Sequence, residues 1–111
     1  MARNLPFTVE AVDVLDTVLI HVSGEIDLQN IARLERELDS CDDRHCELDL
    51  SRVTFIDSTT LKVLLRHRRR AASRGGSLRL VDASPHVRRV LDITGTTSLF
   101  LASPDPGHPR S

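Results

Sequence analysis

The chain has 111 residues, of which 40% are hydrophobic and 28% are charged. This is the size and composition of one globular domain with its own core, and no apolar run approaches the roughly 20 residues of a membrane-spanning helix. Fifteen basic residues offset sixteen acidic ones, so the net charge of −1 argues against a general binder of polyanions.

The termini and the cysteines indicate an ordinary intracellular domain. No apolar segment follows the first residues as it would in a secretory signal, so we expect a cytoplasmic protein without a membrane segment. Cys41 and Cys46 are spaced neither as a CxxC motif nor as two pairs. We expect reduced thiols, with an incomplete metal site around His45 as the alternative. The five glycines form no phosphate-binding loop, so no cofactor is indicated.

The first part of the chain reads as two strands followed by a helix. Phe7, Val9 and Ala11 alternate with polar residues and the β-rich run 18–22 follows after a short turn, which predicts a hairpin. Asp27 then stands where its carboxylate can accept a hydrogen bond from the first turn of a helix. Apolar residues recur there every three or four positions, as in an amphipathic helix: Leu28, Ile31, Leu34, Leu38 and Cys41.

Strands and helices alternate through the rest of the chain. An inner strand is predicted over residues 46–53 and a second helix over residues 59–74. Gly75 and Gly76 end that helix, because glycine adopts the left-handed conformation of a helix C-terminus at no steric cost.

A strand over residues 77–81 leads to a third helix. Ser84 and Pro85 suit its N-cap and first turn, and it is expected to end near Gly95. Its inward side is expected to hold Val87, Val90 and Leu91, with Ile93 as a further candidate. Residues 98–101 predict a last short strand.

The predicted order is therefore β-β-α-β-α-β-α-β. Parallel crossovers need helices to cover the sheet, so we predict an α/β fold, a single-domain sandwich with a small mixed β-sheet covered by helices. The domain is assigned to residues 1–102. Residues 103–111 hold three prolines and no apolar pattern, so they are predicted to be a disordered tail.

The segment from Asp57 to Thr60 joins the inner strand to the second helix. Ser58 suits the N-cap of that helix, a role that contributes about 1 kcal/mol. Capping does not exclude phosphorylation, because a helix N-terminus accommodates an anion and a phosphate adds about −1.5 to −2 charges. From local physics alone, capping is favoured over a switch.

The same segment carries a family resemblance. Residues 49–61, Asp-Leu-Ser-Arg-Val-Thr-Phe-Ile-Asp-Ser-Thr-Thr-Leu, resemble the signature of STAS domains, specifically of bacterial anti-sigma factor antagonists. Those proteins have Asp-Leu-Ser followed by Asp-Ser-Ser/Thr-Gly-Leu, and residues 24–27, Gly-Glu-Ile-Asp, are similar to a second family element. The resemblance spans roughly residues 9–101, with matching element order.

The resemblance implies a protein-binding switch without an active site of its own. The unmodified antagonist would bind an anti-sigma factor that is also a serine kinase, and would thereby release the sigma factor. Phosphorylation at Ser58, or alternatively at Thr59, would weaken binding, and a phosphatase would restore it. The implied partner-binding residues are Asp27, Asp57, Ser58, Thr59, Thr60, Lys62 and Val63.

One residue departs from the family pattern. Thr60 stands where the family usually has glycine, and we expect its β-branched side chain to hinder close approach of a kinase or its nucleotide. We expect a regulatory protein rather than an enzyme, present as a monomer or weak dimer.

Two other functions remain open from the sequence. The same fold would also serve as a structural subunit of a signalling scaffold or as an accessory protein of a membrane transporter. The basic cluster at residues 66–70 invites a nucleic-acid interpretation, but its side chains spread around the helix. Because the chain also has neither Trp nor Tyr for base stacking, we expect no direct binding of nucleic acid.

Overall fold

The computed structural model describes residues 6–41 and 43–101, and the predicted tail lies outside these ranges. Eight elements follow one another in the described chain: β1 (Thr8–Val14), β2 (Thr17–Glu25), α1 (Ile31–Ser40), β3 (His45–Phe55), α2 (Ser58–Ser73), β4 (Ser77–Ala83), α3 (Pro85–Thr94) and α4 (Thr97–Phe100). The predicted α/β class and the predicted element order are confirmed up to the last element.

The four strands form one mixed sheet in the order β1-β2-β3-β4. β1 and β2 are the predicted antiparallel hairpin, whereas β2, β3 and β4 run parallel. Alternate side chains of β2, β3 and β4 are buried with the inward residues of the helices in one core. The helices therefore cover one face of the sheet, and the opposite face carries polar and partly exposed side chains.

The last predicted strand is wrong, because residues 97–100 form the short helix α4. Phe100 is fully buried in the common core, and Leu101 N–H donates to Thr97 O at 2.8 Å to close the turn. Burial of one aromatic side chain decides the conformation here, over the strand preference of the local sequence.

The predicted helix boundaries depend on glycine and on Ser84. Gly75 and Gly95 have φ values of +84° and +73°, in the left-handed region, and follow α2 and α3. Ser84 Oγ accepts the N–H of Val87 at 3.3 Å, so it is the predicted N-cap of α3.

The inward side of α3 differs from the prediction at Ile93, which is 76% exposed. It lies two residues, and therefore about 200° around the helix, from the inward Leu91.

The basic cluster of α2 is largely engaged with α1. Arg66 pairs with Glu35, and Arg70 lies 3.4 Å from Asp39. His67, which is 2% exposed, places Nε2 3.2 Å from the same Glu35 carboxylate. These arginines therefore contribute to the contact between two helices.

Cys41 and Cys46 are free thiols buried in the core. A hydrogen bond with Cys41, together with burial, raises the pKa of the Cys46 thiol above its ordinary value. Both effects disfavour the thiolate that metal binding requires.

No helix in the described part of the chain is both long and apolar enough to cross a membrane.

Candidate functional site

The carboxyl ends of β2, β3 and β4 meet at one edge of the domain, because these strands are parallel. Ile26 N–H donates to Phe55 O at 3.0 Å and ties the end of β2 to the end of β3. Ser84 Oγ donates to Val53 O at 2.6 Å and ties the start of α3 to β3. The three junctions are thus held together as one surface.

The first turn of α2 is capped by Asp57. Its backbone is extended, with φ −122° and ψ −176°, and its Oδ1 accepts the N–H of Thr60 at 2.9 Å. The prediction of Ser58 as N-cap is therefore wrong by one residue. Aspartate and serine cap about equally well, and aspartate adds a negative charge at the positive end of the helix dipole.

Ser58 is instead the first residue of α2 and is exposed to solvent. Asp57 carries out the capping, so the Ser58 hydroxyl is not needed for it. Within the described ranges, no group forms a hydrogen bond with that hydroxyl. Thr59, the alternative acceptor, is exposed as well. The structure therefore presents two hydroxyl groups at the start of a helix, of which Ser58 directly follows the cap.

Two predicted partner-binding residues lie in the interior. Thr60 is 1% exposed and Val63 is 8% exposed, so neither side chain belongs to the outer surface, which is a correction to the sequence prediction. Lys62 is exposed as predicted. Since Thr60 points inward, its β-branched side chain does not produce the crowding that an exposed position would cause.

Asp27 organises the turn that precedes α1. Its Oδ1 accepts the N–H groups of Gln29 and Asn30, at 2.9 and 3.1 Å. Both residues precede α1, whose N-cap is Asn30, so the prediction that Asp27 caps the first turn of the helix is wrong. Asn30 returns the contact, accepting Asp27 N–H at 2.9 Å and donating to Glu25 O at 2.8 Å. Sequence reasoning missed Asn30, although an aspartate and an asparagine three residues apart are the signal for a turn in which each side chain bonds the other residue's backbone N–H.

This turn displaces the start of α1 to Ile31 and exposes Leu28. Leu28 is 72% exposed, contrary to its predicted inward position. It follows Asp27 directly, so an apolar and an acidic side chain lie together at the end of β2. We call Asp27, Leu28, Asp57, Ser58 and Thr59 the carboxyl-end surface.

An aromatic pair lies next to this surface and was also missed. The rings of Phe55 and His86 stack with centroids 5.1 Å apart, and Phe55 remains 42% exposed. His86 Nε2 lies 3.2 Å from Ile56 O, which fixes the imidazole against the end of β3. Simple alternation does not give the exposure of Phe55, because the buried positions of β3 shift by one residue between Leu50 and Val53. Its pairing with a residue 31 positions away has no local signal either.

The arrangement suits protein binding and modification. Ser58 has no described base within hydrogen-bonding distance, so nothing in the described structure activates it as a nucleophile. An exposed hydroxyl on a helix N-terminus is accessible to a modifying enzyme, and the dipole there accommodates the added anion.

Comparison with known proteins identifies the family. BtrV of Bordetella bronchiseptica, a candidate anti-sigma factor antagonist, is 36% identical over 92 residues that span 79% of each chain. The anti-sigma-B factor antagonist of Bacillus subtilis is 31% identical over 85 residues, 75% of this chain and 78% of that one. A solved anti-sigma factor antagonist from Mycobacterium paratuberculosis superposes with a TM-score of 0.76 at 28% identity, covering 91% and 88% of the two chains. The family model described as "Mlab, STAS domain" matches residues 11–101, so the chain belongs to the STAS domain family.

Proposed function

We propose that this chain is an anti-sigma factor antagonist. It binds an anti-sigma factor that is also a serine kinase, which releases the sigma factor, and phosphorylation of Ser58 ends that binding until a phosphatase removes the phosphate. The relatives named as antagonists support the general role. The observation that carries the switch is the exposed Ser58 hydroxyl, which has no part in capping α2.

A phosphate on Ser58 is compatible with the folded domain. The N–H groups of the first turn of a helix have no partners within the helix, and here Asp57 already satisfies that of Thr60. The helix dipole favours an anion at this end by about 0.3–1 kcal/mol. Lys62 is exposed one turn further along the same helix, where its ammonium group offsets part of the added charge.

The same phosphate opposes docking of a partner. The carboxyl-end surface already holds the carboxylates of Asp27 and Asp57, and Leu28 supplies exposed apolar area beside them. A partner lying over this surface would have to desolvate a dianion or place it against its own groups, and burial of an unpaired charge is strongly unfavourable. The modification therefore changes binding without a change of fold.

The acceptor is identified by incubation with the cognate kinase and ATP. We expect a mass gain of one phosphate that is retained in Thr59→Ala and absent in Ser58→Ala. The two exposed hydroxyl residues are adjacent, so each variant is the matched control of the other. A phosphate retained in Ser58→Ala would exclude Ser58 as the sole acceptor.

The effect of charge is measured with Ser58→Asp and a matched control. The control is Ser98, which is also exposed. Its neighbour Leu99 accepts a hydrogen bond from Arg68, and Arg68 lies ten residues after Ser58, or about 15 Å further along α2. Ser98 therefore lies far from the start of the helix. We expect Ser58→Asp to weaken binding to the anti-sigma factor by about tenfold or more, the effect of a charge at the centre of an interface. Ser98→Asp should bind as the unmodified chain does, and equal affinities for all three proteins would contradict the proposal.

A further inference from the structure

Phe55 presents an exposed aromatic ring beside the carboxyl-end surface. It is the last residue of β3, it is 42% exposed, and its Cα lies opposite that of Glu25 at the end of β2. Ser58 follows three positions later, so the two Cα atoms are at most about 11 Å apart. Leu28 is exposed at the neighbouring junction, so the ends of two adjacent strands each present an apolar side chain to solvent.

His86 holds the Phe55 ring in one orientation. The two rings stack with centroids 5.1 Å apart and an angle of 26° between their planes. His86 is itself fixed, because its Nε2 lies 3.2 Å from Ile56 O and the cap of its helix, Ser84, donates to Val53 O. An exposed side chain that is already ordered loses little conformational entropy when a partner covers it. The aromatic pair is therefore pre-organised for binding.

Carboxylates flank these exposed apolar side chains. Glu25 is exposed on the strand beside Phe55, Asp57 follows Phe55 by two residues, and Asp27 directly precedes Leu28. A protein surface that complements this pattern carries basic side chains around an apolar pocket.

The position of Ser58 identifies the occupant of this surface. A partner whose binding ends when Ser58 is phosphorylated lies over that hydroxyl. A standard interface covers about 800 Å² of each protein, and a disc of that area has a radius of about 16 Å. This radius exceeds the separation of Phe55 from Ser58, so the partner that is switched at Ser58 also covers Phe55.

We propose that Phe55, positioned by His86, is the aromatic anchor of the interface with the anti-sigma factor and enters an apolar pocket that has basic side chains at its rim. Aromatic side chains are enriched in the core of protein interfaces, and a few buried anchors carry most of the binding energy. This inference rests on the proposed function and names the contact that supplies its affinity.

Affinity for the cognate anti-sigma factor tests the anchor. We expect Phe55→Ala to weaken binding by about tenfold or more, the effect of removing a central side chain. Phe55→Leu keeps an apolar side chain at the strand end but lacks the ring, and it should weaken binding too, so the test does not depend on how well the alanine variant folds. Val12→Ala is the control and should bind as the unmodified chain does. Val12 is 47% exposed and lies opposite Leu19, six residues or about 20 Å along β2 from Glu25.

A double-mutant cycle tests the positioning role of His86. His86→Ala should weaken binding of the unmodified chain but have little further effect in Phe55→Ala, because the ring that it holds is then absent. A loss of equal size in both backgrounds would contradict this role.

Glu25→Gln tests the charge of the partner. Loss of a charge at the rim of an interface changes mainly the association rate. We expect slower association at low salt with little change in dissociation, whereas an unchanged association rate would contradict a basic rim.

Ser58→Asp separates this inference from the proposed function. Binding that Ser58→Asp weakens, but that Phe55→Ala and Phe55→Leu leave unchanged, would overturn the inference alone. An unmodified chain that does not bind the anti-sigma factor would contradict the proposed function and the inference with it.

Discussion

The cap of α2 permits a direct mutational test of how its first turn is built. Asp57→Ala removes the carboxylate that accepts Thr60 N–H at 2.9 Å. Loss of a cap costs about 0.5–2 kcal/mol, and loss of a negative charge at a helix N-terminus about 0.3–1 kcal/mol more. We therefore expect the free energy of unfolding to fall by about 1–2.5 kcal/mol, or roughly 4–8 °C in Tm for each kcal/mol. Ser58→Ala removes an exposed hydroxyl outside the cap, and we expect a change within about 0.5 kcal/mol.

Urea denaturation of the two variants measures this difference. A lower midpoint at unchanged slope reports a change in stability alone. Asp57→Asn is the control, since asparagine caps as well as aspartate but has no charge, and it should recover most of the loss. If Ser58→Ala lost as much stability as Asp57→Ala, Ser58 would be the cap and its hydroxyl would not be free.

Two further predictions concern the end of α2 and the exposed face of the sheet. A Cβ at Gly76 would lie 2.3 Å from Arg44 O, whereas Gly75 has open space but a φ of +84°. Gly76→Ala should therefore lower the urea midpoint more than Gly75→Ala, whose left-handed backbone costs about 1–2 kcal/mol, and the reverse order would contradict the packing argument. Partial burial raises the pKa of Asp49, but hydrogen bonds from Ser51 and His21 outweigh it, so the pKa lies below its ordinary value of 3.8. That stabilisation is present above the ordinary value and is lost as the pH falls through the lowered one. Asp49→Asn should therefore flatten the acid limb of stability against pH, and an unchanged limb would contradict this assignment.

Local chemistry was sufficient to predict several boundaries. Short-range sterics and hydrogen bonding determine the left-handed conformation of Gly75 and Gly95 and the cap at Ser84. These features can therefore be predicted from a few consecutive residues. The family signature likewise located the start of α2 and Ser58. Leu28 was misplaced because the mutual hydrogen bonds of Asp27 and Asn30 extend the turn and delay α1.

The faces of α2 were harder to predict than its existence. Asp57 and Ser58 are adjacent and both cap well, so the sequence leaves the first helical residue ambiguous by one position. Thr60 and Val63 were assigned to the partner surface by the family resemblance and not by their position around the helix, and both lie in the core. A short motif names neighbouring residues, whereas successive residues of a helix point about 100° apart, so some of them face inward.

Release of the sigma factor is the measurement that tests the central claim most directly. A complex of sigma factor and kinase-type anti-sigma factor is titrated with the unmodified chain and with the chain phosphorylated at Ser58, and free sigma factor is quantified. We expect the unmodified chain to release the sigma factor and the phosphorylated chain to fail, while both unfold at closely similar temperatures because the helix N-terminus accommodates the phosphate. Equal release by the two forms would contradict a switch at Ser58.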